Sequence, residues 1–512
     1  MLKSLAGRAN VACAGFCLRY LGFGKGFVVP ETGPEAVQGA IRRGILVTRL
    51  VALSVASMLL FACQAMPSLV KPRLEEEGQV FVYLQALSQE ADRLTFRLDG
   101  ISAVREDGTP VPLSLHIAEI RGKELKRDRL LASGELPPGQ YLGFSLRVKG
   151  ATLKGEEGDV ALPIADEESM TSFPLSIVRK KGQVVSLKFR YRESLPGGIR
   201  FAPAFDAEVP GKLATGLIGL VTGRRANTVT VFNKVTGKVV AVVPTGASPA
   251  GMVLNPVLRR AYVAISGEDA VEAIDLLGMD VITRGPLVIG DRPEELALSP
   301  DRKTLLSANT GSGTVSFFDA ASLVETRRIQ VGNGPQSILV DRVGRRAYVF
   351  NTLSSTISVL DIGTGGVVAT VATEAGPVRG EFNRGGNRLY VLHKYSPYLS
   401  VLDPTTLSIV RRVYVGTGGK ALKVDSKTDL IYLSRQGAGE VAIYDPFSFL
   451  PVDSYRTGGD ASYLTIDGEG NNLCVVLPGT NGVRAIRLVG KETVSEIDAG
   501  EDPYWVTLMG ER

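Results

Sequence analysis

The 512-residue chain is poor in the side chains that most often build redox and metal chemistry: four cysteines, two histidines and one tryptophan. Cys13 and Cys17 precede a segment that reads as an export signal, so a mature chain would keep only Cys63 and Cys474. No Cys-x-x-Cys-His occurs, which excludes covalent c-type haem. The two histidines, His116 and His393, lie in different predicted domains. An excess of one charge sign is missing as well. Residues 1–62 hold seven Lys/Arg and two acids, and the remainder holds 51 of each sign. The basic balance of the whole chain therefore belongs to its leader, and there is no electrostatic case for a nucleic-acid partner.

What the chain has is a repeat. Gly290, Gly332, Gly416, Gly458 and Gly500 fall on a 42-residue grid, with Glu374 in the one substituted slot. A proline follows three residues on at Pro249, Pro293, Pro335, Pro377 and Pro503, with Gly419 and Ala461 in the lapsed slots. Ala-Tyr-Val at 261–263 and 347–349, Leu-Tyr-Val at 389–391 and Ile-Tyr-Leu at 431–433 mark one strand; Asp275, Asp319, Asp361, Asp403 and Asp445 end the next. In the repeat 333–374, β-branched and aromatic runs at Gln336–Val340, Arg346–Asn351, Thr356–Asp361 and Val367–Thr373 alternate with Gly, Asp and Ser turns, which predicts four strands. A period of this size built from short strands is that of β-propeller blades. Residues 217–245 supply only three outer strands, and Asp502–Leu508 carries the pattern of the missing innermost one. The expected fold is all-β: a seven-bladed β-propeller over 217–509, its first blade completed by the C-terminal strand, preceded by a β-sandwich-like domain. Closure of this kind leaves no free sheet edge.

The Tyr-Val-Phe-Asn run at 348–351, with Ser-Val-Leu-Asp at 358–361 and 400–403, resembles the YVTN-family β-propeller repeats of microbial surface proteins. The resemblance covers almost all of 217–509 and implies the fold. It implies little about activity, since one propeller scaffold hosts hydrolases, electron carriers and binding modules.

Ahead of the repeat, the apolar run at 50–62 follows Arg49 and is 13 residues long, too short to span a bilayer but suited to a secretion signal. Leu60-Phe61-Ala62-Cys63 resembles the lipobox of bacterial lipoproteins. The resemblance implies cleavage before Cys63, acylation there and stable anchoring by two or more chains; with Cys63 acylated, no structural disulfide can form within the mature chain, and Gln64 in the next position implies export past the inner membrane. Residues 1–62 are thus an N-terminal extension plus signal, with Val47 as an alternative start and Arg42-Arg43 weakly resembling a twin-arginine motif. Residues 63–78, with Pro67, Pro72 and Glu75-Glu76-Glu77, read as a lipidated tether. From 79 to 210 the pattern is β without the 42-residue period, which predicts the sandwich-like domain. The stretch Leu131–Tyr141 resembles a domain of unknown function common in bacterial lipoproteins.

Candidates for chemistry are few. The strand-ending aspartates could be drawn as a metal ring, but each precedes a turn in which a short carboxylate accepts a backbone N–H, and that reading is preferred. His393 is weighed as a haem or metal ligand against a solvated or backbone-bonded side chain, and Cys474 as a packing residue in a slot where other repeats carry Tyr. Gly416–Gly419 lacks the strand-to-helix setting of a phosphate loop. No catalytic residue, metal site or cofactor is assigned. Loops between the second and third strands vary most, and binding residues are usually displayed on such loops. The candidate ligand face is therefore Arg224, Arg225, Glu268, Asp269, Lys394, Tyr395, Tyr398, Arg435 and Gln436. The expected function is a non-catalytic envelope lipoprotein, outer-membrane anchored, that binds a protein or glycan. The alternative is a secreted lactonase-like hydrolase with carboxylates and a divalent metal at the central channel.

Overall fold

The computed structural model describes residues 77–156, 158–165 and 168–512. The leader, Cys63 and most of the tether fall outside the described residues. Among the described residues no helix is long and apolar enough to cross a membrane.

Seven four-stranded antiparallel sheets form a ring after residue 217. In the fourth blade the strands are Pro335–Val340, Arg346–Asn351, Thr356–Asp361 and Val367–Ala372, within a residue of the sequence reading. The proline slot opens most innermost strands, where a missing N–H costs no ladder bond. The glycine grid has two physical causes. Gly290, Gly416, Gly458 and Gly500 hold φ between +68° and +93°, which side chains rarely adopt, whereas a Cβ on Gly332 would meet Ser354 Oγ at 2.4 Å. Each pair of neighbouring blades encloses an apolar core built from strands such as Ala347–Phe350 on one side and Leu389–Leu392 on the other.

The first blade is closed by both ends of the ring. The C-terminal strand Pro503–Leu508 pairs antiparallel with Ile218–Gly223, Val506 opposite Val221 and Trp505 opposite Thr222. Beneath it the ammonium of Lys234, on a first-blade turn, binds Asp467 (3.2 Å) and Glu469 (2.8 Å) of the seventh blade and the Met509 carbonyl (2.7 Å). One buried cation thus ties the start, the last blade and the tail.

The preceding domain is a ten-stranded sheet folded around its own core. Its strands are β1 (Gly78–Leu84), β2 (Leu94–Arg105), β3 (Pro110–Leu115), β4 (Glu119–Arg121), β5 (Arg129–Leu136), β6 (Gly139–Lys154), β7 (Asp159–Leu162), β8 (Glu168–Ile177), β9 (Gly182–Phe189) and β10 (Phe205–Glu208). One layer orders β10-β9-β1-β5, and β3 connects it to the β2-β6 layer. β1 is apolar on both faces, which an unbroken Val80-Phe81-Val82-Tyr83-Leu84 run requires. Val80, Val82 and Leu84 fill the domain core; Phe81 and Tyr83, with Leu130 and Val184, pack on the ring where blades 7 and 1 meet. Polar contacts follow the same seam. Arg129 Nε binds Asp498 at 2.7 Å, Arg127 pairs with Glu496, and the Tyr83 hydroxyl donates to the Asp498 carbonyl at 3.3 Å. Gly182 is needed there because a Cβ would lie 2.1 Å from the Val242 carbonyl.

Removing one partner of a buried charge cluster costs about 3 kcal/mol or more. Lys234→Ala should lower unfolding stability by about that amount, measured by urea denaturation; a change within about 0.5 kcal/mol would show that the knot is not needed for closure.

Candidate functional site

The second residue after the proline slot reads Gly251, Glu295, Ser337, Arg379, Ala421, Tyr463 and Trp505 around the seven innermost strands. Ring closure brings four of these together at the centre. Arg379 of the fifth blade reaches Glu295 of the third at 3.5 Å, with side chains 11% and 9% exposed. Its guanidinium lies 4.8 Å from the ring centres of both Tyr463 and Trp505, which stack on each other at 3.8 Å. Such cation–π contacts strengthen when water is excluded. Two residues further along the strands, Lys423 and Glu381 pair at 3.7 Å. At the mouth Arg224 pairs with Glu294 and lies 3.5 Å over the Tyr504 ring, whose hydroxyl also binds Glu294.

Electrostatics at this centre are set by loss of water. Burial pushes the Glu295 carboxyl up to about 7, with Arg379 offsetting part of the effect. Burial likewise raises Glu381 against the opposing pull of Lys423. Burial works against the Arg379 charge, but Glu295 and its other neighbours outweigh it and hold the guanidinium protonated. Glu295 Oε2 and Arg379 Nε are buried without a partner among the described residues. The centre can exchange a proton near neutrality and can offer one acceptor and one donor to a small polar group.

The sequence-predicted loop residues separate into three groups. Arg224 is drawn into the channel mouth, while Arg225 beside it is exposed. Glu268 and Asp269 are spent on local structure: Glu268 accepts from the Ala247 N–H (2.8 Å) and pairs with Arg284, and Asp269 accepts from the Gly290 and Arg292 N–H groups. Lys394, Tyr395, Tyr398, Arg435 and Gln436 stand on the fifth and sixth blades, with Arg435 half-buried and the others exposed. The connection at 415–418 joins them, since Val415 N–H donates to Pro397, Gly418 to Lys394 and Gln436 to Gly418.

The weighed alternatives resolve locally. Thr405 N–H donates to Asp403 (2.8 Å), and Ser322, Thr364 and Ser448 donate likewise to Asp319, Asp361 and Asp445, three residues on. These bonds hold all four carboxyls below their ordinary range. His393 is buried, its Nδ1 bonded to the Tyr398 carbonyl at 2.9 Å, and burial pushes its pKa down to about 4. Cys474 is buried in the seam, and burial pushes its thiol up to about 12, which keeps it unreactive. Among the described residues no three metal-capable side chains stand together. The channel charges were the group that sequence reasoning missed; comparing one strand position across all repeats would have exposed two charges and two aromatics where a core strand needs none.

A family model described as YNCE-like beta-propeller matches residues 220–427. Comparison with curated proteins gives no match. Among solved structures, the chain is similar to a candidate 6-phosphogluconolactonase from Bacteroides fragilis, at 15% identity over 58% of this chain and 99% of that one, with a TM-score of 0.50. It is also similar to a hydrazine synthase chain of Kuenenia stuttgartiensis (19% identity, 50% and 87% covered, TM-score 0.45). A third is the dihydro-heme d1 dehydrogenase NirN (14%, 59% and 77%, 0.47). At 15% identity the likeness to the first of these is one of fold alone.

Folded Glu295 holds its proton more tightly than an unfolded glutamate, so its contribution to stability is full below about pH 4.5 and lost as pH rises through about 7. The stability of wild type relative to Glu295→Gln should therefore fall by about 2 kcal/mol between pH 5 and 8 in urea titrations. A pH-independent difference would contradict the raised carboxyl.

Proposed function

We propose that this chain is a non-catalytic cell-envelope lipoprotein whose propeller binds a protein or glycan through the face bearing the second-to-third-strand loops. The observation that carries the reading is the matching of the three channel glutamates to cations: Glu294 to Arg224, Glu295 to Arg379 and Glu381 to Lys423. A divalent cation needs several carboxylate or carbonyl oxygens free to converge on it. Here each acid already faces a buried or half-buried positive group, and a divalent ion would have to displace three ion pairs. The exposed residues of blades 5 and 6 on the same face provide a display surface on a rigid frame.

The hydrolase reading has one observation in its favour, the unpartnered Oε2 of Glu295 with a proton affinity near neutrality. The Ser337 hydroxyl is hydrogen-bonded to Glu295, but the other two channel glutamates, Glu294 and Glu381, are already paired with Arg224 and Lys423, which leaves no second free acid beside it among the described residues. Envelope anchoring through Cys63, with an outer-membrane address, belongs to the same proposal and rests on the lipobox resemblance.

Two experiments test it. Cys63→Ser should move the protein from the membrane fraction to the soluble fraction of cells; unchanged partition would sink the anchor. A photo-crosslinking residue at Arg225 or Gln436 should capture an envelope component in cells, while one at Val489, on the opposite face, should not. Equal capture from both faces would refute the assigned binding face.

A further inference from the structure

The loops that follow the second strand have a common exposed position, two residues past the strand's end: Arg225, Gly267, Gly311, Leu353, Tyr395, Gly437 and Gly479. Four of the seven are glycine. Large apolar side chains stand there only on the adjacent fourth and fifth blades, with Leu353 72% and Tyr395 59% exposed. Tyr398 (39%) and Tyr414 (71%) extend the surface, their rings 6.0 Å apart and edge to face. Tyr395, Tyr398 and Tyr414 thus put three exposed aromatic rings on one blade.

The loop that carries them is held rigidly. A Cβ on Gly376 would lie 2.5 Å from the Tyr395 ring, so one edge of that ring rests on backbone. Buried His393 fixes the Tyr398 carbonyl, and Ser396 Oγ donates to Glu374 at 3.4 Å. Glu374 is the residue that breaks the glycine grid. It also binds Arg412 Nε at 2.6 Å, so the one irregular slot of the repeat anchors the tyrosine loop. Fixing aromatic anchors before binding reduces the ordering cost of the complex.

Charge narrows the ligand. Glu374 is matched by Arg412 and Asp460 by Lys420 (3.6 Å). Lys394, whose ammonium lies 5.3 Å from the Tyr395 ring centre, and Arg435, laid over Gly416, have no ion-pair partner among the described residues. Two unmatched cations therefore flank a tyrosine platform with Gln436 exposed beside them. A sugar ring offers an apolar C–H face to stack on tyrosine and hydroxyls for the phenol and amide groups, and a carboxylate on that sugar would answer the cations. Two cations are too few to track a polynucleotide backbone, which is bound through many phosphate contacts.

Deepening the binding reading on which it rests, we propose that Tyr395, Tyr398 and Tyr414, with Lys394 and Arg435, form a binding site for an acidic glycan of the uronic-acid class. The site is an open platform that takes a few sugar units along the edge of the fifth blade. Its specificity comes from stacking, and its preference for acidic sugars from the two cations.

The test is calorimetric titration of the full chain with mannuronate hexamer, with cellohexaose as the neutral probe and a ten-residue oligothymidylate as the nucleic-acid probe. Mannuronate hexamer should bind more tightly than either. Tyr395→Ala should weaken it at least tenfold, and Lys394→Ala should weaken it less while flattening its salt dependence. Phe447→Ala, an exposed aromatic on the opposite face, should leave it unchanged. No binding of the hexamer, binding unaffected by Tyr395→Ala and Tyr414→Ala together, or tighter binding of the oligothymidylate would each overturn the proposal. Circular dichroism of the variants separates loss of the site from loss of the fold. Failure here with continued crosslinking from Gln436 in cells would remove the glycan and leave the binding face standing.

Discussion

A ring of seven sheets is only as stable as its joint, and here the joint is a single antiparallel ladder between Ile218–Gly223 and Pro503–Leu508. No covalent link reinforces it, since the only cysteine in the described residues is the buried Cys474. The chain's two ends must find each other across almost three hundred residues, a closure whose entropy is offset by the ladder, by the seam's apolar core and by the Lys234 knot. The closing strand has a second duty. It supplies Tyr504 and Trp505, so the stacked pair that holds Arg379 and the ring over which Arg224 lies exist only when the ring is shut.

The N-terminal domain docks at that same joint. Phe81 and Tyr83 on the outward face of β1 enter the core shared by blades 7 and 1, and Arg127 and Arg129 bind acids on the outer strand of blade 7. Lys181 reaches Asp280 on the second blade at 2.9 Å. The N-terminal domain is thus a clamp across the propeller's seam. The two form one compact unit.

The repeat made the blade count, the closing strand and the aspartate turns legible, because those features live within one 42-residue unit or between equivalent units. What it could not disclose lies between distant units. Glu295 and Arg379 are two repeats apart, and their meeting depends on the diameter of the closed ring. In the N-terminal domain the alternating runs at Gln79–Leu87, Leu94–Leu98, Pro112–Ile117, Tyr141–Val148, Phe173–Val178 and Val184–Tyr191 mark β1, β2, β3, β6, β8 and β9 in whole or in part, but no such run marks the short β4, β7 and β10, nor β5, whose Ala-Ser-Gly-Glu centre lacks strand-forming residues. The docking face was written in the unbroken apolar run of β1, which an ordinary half-exposed strand would not carry. Loop variability picked out Arg224, Tyr395 and Tyr398 but also Glu268 and Asp269, since a carboxylate that caps a backbone amide looks the same in sequence as one that awaits a ligand.

Native-state hydrogen exchange on the intact chain tests the closure most directly. If the C-terminal strand is an integral part of the first blade, the amides of Trp505–Leu508 and Leu220–Thr222 should be protected to the same degree as those of Tyr348–Phe350, in a blade built from continuous chain. Exchange of the 505–508 amides at loop rates, with blades 2 to 7 still protected, would contradict a ring closed by its last strand.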